Sequence, residues 1–280
     1  MDLQQIGLQH PRIRQLRNVR DNGAPNHHGL FVAEGLWAHN VLLDQNASIE
    51  VFLWCPEAAY SAEALVRSRQ AAARATLAYR VSPRVLARLA ERDRPDGMIS
   101  LVRLPRWDAD SLSLGRHALV LVADAVEIPG NLGTLLRTLD ACGGACLVLT
   151  NRRTRLSHPK VFRGSRGMLL RVPVLDLGEP DLAAAWLRDR GFTTYLATPG
   201  AAAVPYHDVR FPARTAVVVG NERYGISPGW FAHGLPSITV PMLGAADSLN
   251  VSVSASILLY AARASVAGWA TPRRRSVVVG

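Results

Sequence analysis

The sequence has almost no lysine: Lys160 stands alone, so 31 of its 32 basic residues are arginine. It has only three cysteines, Cys55, Cys142 and Cys146, an odd number with no CxxC pair. That argues against a disulfide framework and a cysteine zinc site, and buried free thiols are expected instead. No apolar run approaches the length needed to cross a bilayer, and the segment from Met1 to Asp21 lacks the apolar core of a signal peptide. A cytoplasmic location with no membrane contact is expected. No GxGxxG and no GxxxxGK[ST] follows an apolar strand, so hydride transfer and nucleotide hydrolysis lose their usual phosphate cradle. Clusters of histidine, cysteine and carboxylate are also missing, and no metal is expected.

What is present is a 280-residue chain with 49% hydrophobic residues, enough for two domains. Its formal net charge of +10 points to a polyanionic partner, because cations that neutralise phosphates release counterions. Arg14 and Arg17, with Arg12 and Arg20, lie on an expected helix over residues 12–20. Strands are expected at 49–54, 77–81 and 98–104. Helices are expected at 62–75 and from Pro83, where Ser82 is a cap and proline takes the first helical position. This describes an α/β domain over residues 1–104. A linker over 105–116 follows, then a second α/β domain over 117–270 with a mostly parallel sheet, and a frayed tail at 271–280.

The second domain carries the more elaborate loops, and they come late. Gly220-Asn221-Glu222-Arg223-Tyr224-Gly225 follows a buried strand, and Leu243 to Ser252 follows another. Glycine and small polar residues at strand ends let a ligand approach the backbone, so a cofactor is expected there. Earlier, Asp124 to Thr138 joins a strand to a helix: Pro129-Gly130 is read as a turn, Asn131 as a donor and acceptor near the helix start, and Arg137 as a cation among apolar neighbours. A guanidinium so placed requires an anion, either a phosphate or an internal carboxylate such as Asp140 or Glu222. The connecting segment 151–171 holds Arg152, Arg153, Arg155, Lys160, Arg163, Arg166 and Arg171 with no acidic residue. Phosphate contacts are the favoured reading of that run, and a solvated basic face is the plainer one. A strand is expected at 171–175 and a long final helix from Leu249 to about Val266.

PGNLGTLLRTLDACG, VVGNERYGIS and ITVPMLGAADSLNVSVSASILLYAA together resemble the three motifs of the SpoU (TrmH-like) RNA ribose 2′-O-methyltransferases of the SPOUT superfamily, in the expected order. The stretch Phe31-Val32-Ala33-Glu34-Gly35 is similar to their ribosomal-protein-like substrate-binding domain. The resemblance implies a deep trefoil knot, an exception to the rule that chains avoid knots. It also implies S-adenosylmethionine as cofactor, RNA as partner and a homodimer. Carried over by motif, Asn131, Arg137, Glu222, Ser248 and Asn250 match functional positions, and Gly220, Val240 and Leu249 match cofactor loops. Asn221 departs from the family, which often has a small residue there. The family's proposed base is Arg137, although a guanidinium suits phosphate positioning at least as well. Ribosomal RNA is the favoured substrate. Transfer RNA, an inactive RNA-binding or assembly protein, and a small-molecule methyltransferase are the alternatives.

Overall fold

The computed structural model describes residues 2–91, 96–200 and 202–265, and they form two compact units. The first comprises the chain up to Trp107 together with Ile128–Arg137 and Arg153–Pro173; the remainder makes the second. The expected tail at 271–280 lies outside the described residues.

Up to residue 103 the elements are α1 (Pro11–Asp21), β1 (Leu30–Glu34), α2 (Leu36–Asp44), β2 (Ile49–Trp54), α3 (Ala62–Arg74), β3 (Leu77–Arg80), α4 (Pro83–Leu89) and β4 (Met98–Arg103). Local chemistry sets several of their ends. Ser61 Oγ accepts from Ala64 N at 3.1 Å and Ser82 Oγ from Val85 N at 3.4 Å, each satisfying a donor that the first helical turn leaves free. The four strands run in the order β1-β4-β2-β3. β1 and β2 are antiparallel to β4, and β3 is parallel to β2, so this sheet is mixed. In α1, Ile13, Leu16 and Val19 face the core, a spacing that turns Arg14 and Arg17 outward. His39 of α2 is buried among apolar side chains, and desolvation holds its pKa down to about 4. As a neutral ring it bonds Gly35 O through Nδ1 at 2.8 Å and Ser100 Oγ through Nε2 at 2.9 Å.

The chain continues with β5 (Ala118–Asp124), α5 (Pro129–Ala141), β6 (Cys146–Thr150), α6 (Pro159–Gly164), β7 (Val174–Gly178), α7 (Pro180–Asp189), β8 (Thr193–Ala197), β9 (Val204–Pro205), β10 (Arg214–Val219), α8 (Pro228–Phe231), β11 (Ser237–Thr239) and α9 (Val251–Ser265). The strands form one seven-stranded sheet in the order β7-β6-β5-β10-β8-β11-β9, parallel at every pairing. Continuous apolar runs such as Leu119 to Ala123 and Ala216 to Val219 are buried, as a sheet covered on both faces requires. Burying each such valine or leucine contributes roughly 1.5–3 kcal/mol. From Asp108 onward the expected linker belongs to the second unit and is fastened within it, where Ala109 O accepts from Trp186 Nε1 and Arg190 Nη2.

Three expectations need correction. Pro129-Gly130 is no turn: both residues already lie in α5, where proline suits the first position and Gly133 lets α6 come close. A Cβ on Gly133 would sit 2.7 Å from Val161 O and 2.8 Å from Ser165 N. The strand expected at 171–175 starts instead at Val174, just past Pro173, which has no N–H to give a sheet. The basic connection contains the short helix α6, capped by His158 and opened by Pro159. In the last helix the buried side carries small residues. Ser252, Ala255 and Ala262 are buried as α9 packs on β5 and β10, and the outward residues include Val253 and Tyr260.

Candidate active site

The carboxyl ends of β5, β6 and β10 converge on one buried carboxylate. Asp124 is fully buried, and its Oδ1 accepts from Thr150 Oγ1 at 2.8 Å and from Asn151 Nδ2 at 2.9 Å. Its Oδ2 accepts from Ser227 N at 2.7 Å. Three donors compensate a charge that would otherwise be costly to bury. Asn151 Nδ2 also reaches Ser227 Oγ at 3.1 Å. Immediately after Asp124 the backbone turns left-handed at Ala125, φ 53°, a conformation costing an alanine roughly 1–2 kcal/mol and kept only where surroundings enforce it. Those surroundings are bonds from Ala125 N to Thr150 O at 2.9 Å and from Asn221 Nδ2 to Ala125 O at 2.9 Å.

Asn221 organises the loop after β10. Its Oδ1 accepts from Arg223 N at 2.8 Å and Tyr224 N at 3.1 Å, while its backbone exchanges two bonds with Gly225. Glu222, one of the expected site residues, fastens the loop by accepting from Glu127 N at 3.1 Å. Gly220 sits where the loop closes on itself, and a Cβ there would collide with the backbone of Gly225 and Ile226. Glycine is therefore required by the loop's own closure, whereas the sequence pointed only to the approach of a ligand. The sequence does carry a local signal for this role of Asn221: an asparagine two and three residues before turn N–H groups forms an Asx turn.

The other late loop is different. Val240 follows β11, and the segment beyond it is open: Leu243 is 98% exposed, and residues 243–250 are exposed throughout. From Met242 to Leu249 no main-chain group bonds to another main-chain group of the described residues. Ser248 Oγ lies 3.4 Å from Asp247 Oδ1. Asn250 begins α9, its Oδ1 accepting from Ser252 N at 2.9 Å. Gly220, Glu222, Val240, Ser248, Leu249 and Asn250 all belong to the second unit.

Asn131 and Arg137 belong to the first unit, on α5. The expectation of a guanidinium among apolar neighbours is corrected: Arg137 is exposed, because Leu132, Leu135, Leu136 and Leu139 take the buried side of the helix and leave Thr134 and Arg137 outward. It makes no hydrogen bond or ion pair with another described residue of its unit. The basic connection is divided. Arg152 pairs with Asp176 at 2.6 Å and Arg163 with Glu91 at 2.9 Å. Arg155 donates to Val19 O and Arg20 O, both at 2.7 Å, capping the end of α1, and Arg166 stacks 4.4 Å from the Trp37 ring. Arg153 and Lys160 keep exposed side chains that make no hydrogen bond or ion pair with another described residue. The three thiols are buried and unpaired. Burial pushes them up to about 11 for Cys55 and Cys142 and about 12 for Cys146, which removes them as nucleophiles near neutral pH. Among the described residues no group of His, Cys, Asp or Glu is placed to hold a metal ion, and no helix is long and apolar enough to cross a membrane.

Known proteins match this arrangement along most of the chain. The model of the SpoU rRNA Methylase family matches residues 118–260, and that of the MRM3-like substrate binding domain matches residues 10–100. A Synechocystis protein named as an uncharacterized tRNA/rRNA methyltransferase is 27% identical over 264 residues, 94% of each chain. The Bacillus subtilis 23S rRNA (guanosine(2553)-2′-O)-methyltransferase RlmP is 31% identical over 182 residues, 65% of this chain and 71% of that one. A Sinorhizobium meliloti rRNA methyltransferase solved with AdoMet bound shares the fold, with a TM-score of 0.81 at 23% identity over 94% of this chain and 97% of that one. A solved RNA 2′-O ribose methyltransferase gives a TM-score of 0.75 at 30% identity, covering 94% of this chain and 99% of that one. With three sequence motifs, a parallel sheet and a matched family model in agreement, the chain belongs to the SpoU rRNA methylase family, whose members are S-adenosylmethionine-dependent RNA 2′-O-methyltransferases.

Proposed function

We propose that the protein methylates a ribose 2′-hydroxyl of ribosomal RNA, using S-adenosylmethionine held by the loops after β10 and β11. The observation that carries the reading is the open loop at 242–249, exposed from Leu243 onward and with no main-chain group bonded to another among the described residues, at the same end of the parallel sheet as a glycine loop already closed. The donor set fits this cofactor. Backbone N–H and C=O groups can read an adenine edge, and between Gly220 and Asn250 Arg223 is the single arginine and there is no lysine, so little repels a sulfonium cation. When bound, S-adenosylmethionine supplies an electrophilic methyl group. The protein's part is to align the hydroxyl with that methyl and ease the loss of its proton.

Arg137 is assigned the hydroxyl and an adjoining phosphate. A guanidinium is a fixed cation with a planar fork of donors, better suited to holding and polarising than to accepting a proton. Its exposure and lack of an internal partner support this role. Asn131, Ser248 and Asn250 are assigned to orienting ribose or cofactor, Glu222 to anchoring its loop, and Gly220, Val240 and Leu249 to backbone contacts with the cofactor. Arg153 and Lys160, with Arg14 and Arg17, are the basic residues best placed to meet phosphates, since most of the other expected cations already serve the fold. A trefoil knot and a homodimer belong to the same reading. The return of α9 onto β5 and β10 after β11 supports the first, and the outward Val253 and Tyr260 of α9 support the second.

The test is incubation with a labelled methyl donor and either ribosomal or transfer RNA, followed by single-turnover methylation by Arg137→Ala at saturating RNA. Methylation of ribosomal RNA by the wild type, and a rate lowered at least a hundredfold in the variant with RNA binding unchanged, is expected. Label in transfer RNA alone overturns the substrate, and an unaltered rate overturns the role of Arg137.

A further inference from the structure

The first unit contains a cleft that the methyl-transfer site does not use. It measures about 250 Å³ and lies between α1 and the loop leading into β1. Arg14, Gln15 and Asn18 of α1 form one wall, and Pro25, Asn26 and His28 form the other. The walls are stiff for local reasons. α1 stops at Asn22, whose left-handed backbone, φ 57°, returns its N–H to Asn18 O. Asn26 then clamps the start of β1, accepting from Leu30 N at 2.9 Å and donating to Leu30 O at 2.7 Å.

The lining has a clear chemical character. Val19 and Leu30 supply an apolar floor, and among the described residues no acidic one lines the cleft. Gln15 and Asn26 are committed internally, Gln15 accepting from Arg12 at 2.9 Å. The side chains of Arg14, Asn18 and His28 are exposed and bond to no other described residue. A guanidinium fork, an amide with a donor and an acceptor, and an imidazole face are together what a single nucleotide requires: one for phosphate, one for the edge of a base, one for its face. A stacked duplex presents no free base face to such a cleft, whereas an unpaired strand does.

We infer that this cleft binds one unpaired nucleotide of the RNA substrate, with Arg14 on its phosphate, Asn18 on its base edge and His28 stacked on the base. The inference rests on the proposal that the substrate is RNA. It adds that substrate selection includes a single-stranded element read by the first unit.

The experiment uses the full chain and a short single-stranded RNA of mixed sequence carrying 4-thiouridine, with its duplex as comparison. Photo-crosslinks should map to residues 11–30. Affinity measured by fluorescence anisotropy should fall about tenfold for the single strand in the Arg14→Gln/His28→Ala double variant, as expected for losing one stacked base and one phosphate contact, and change far less for the duplex. His28→Phe, which keeps a stacking face, should retain most of the affinity. Both residues are exposed, so the variants should melt at the wild-type temperature. Crosslinks confined to other residues together with unchanged affinity overturn the inference. Methylation of ribosomal RNA measured on the same preparation separates the two claims. Intact methylation without these crosslinks removes the cleft alone, and crosslinks at 11–30 without methylation of any RNA remove the proposed activity alone.

Discussion

The loops at the carboxyl ends of β10 and β11 leave the same sheet and have opposite characters. Residues 220–226 are closed: Asn221 bonds the turn from within, Glu222 ties it to Glu127, and Gly220 allows contact too tight for any side chain. Residues 243–249 are exposed, and from Met242 to Leu249 no main-chain group bonds to another among the described residues. The first is a wall whose shape exists before any ligand arrives. In the proposed cofactor site, the second offers donors and acceptors that have no main-chain partner among the described residues and that a ligand would complete. Rigidity in one wall would then lower the ordering cost of binding, and adaptability in the other would let the cofactor be enclosed.

The largest effect that would break this contrast is expected from Gly220→Val. The added side chain cannot be accommodated against Gly225 and Ile226, so the variant should lose about 3 kcal/mol of stability by overpacking and bind no S-adenosylmethionine measurable by calorimetry. Full affinity in a folded variant would mean the loop is not a closed wall. Asn221→Ala should come next. It removes three side-chain bonds at a buried position and should cost about 2–3 kcal/mol in chemical denaturation, with weaker cofactor binding although Asn221 is assigned no ligand contact. Hydrogen exchange sharpens the comparison from the other side: cofactor should slow exchange at 242–249 at least tenfold and leave 221–225 nearly unchanged. Protection of the closed loop alone would reverse the roles. The smallest stability effect is expected for Ser248→Ala, within about 0.5 kcal/mol at this exposed position, while methylation at saturating RNA should still fall. Unchanged turnover would remove Ser248 from the site.

Much of the architecture was legible because it is written locally. Ser82 and Pro83 declare a helix start through their own backbone chemistry, and valine-rich runs declare buried parallel strands. The candidate loops were legible as glycine-rich strand ends. Partners distant in sequence were not. Nothing near Arg155 says that it caps α1, and nothing near Arg163 says that Glu91 awaits it, so a run of like charges looked freer than it is. Gly133 likewise gave no local sign of its role, because the demand for a residue without a side chain comes from α6, which packs against α5 from a later stretch of the chain.

Asp124 has a consequence for how the chain reaches its native state. Two of its donors come from 26 and 27 residues away and the third from 103 residues away. A nascent chain that has not yet presented Ser227 leaves one carboxylate oxygen without its native donor, so this junction acts as a latch engaged late in folding. Because closing so long a loop is entropically slow, β5 can pair with β6 before either β10 or Ser227 joins them. A chain shortened before Ser227 is therefore expected to leave Asp124 Oδ2 without its native donor.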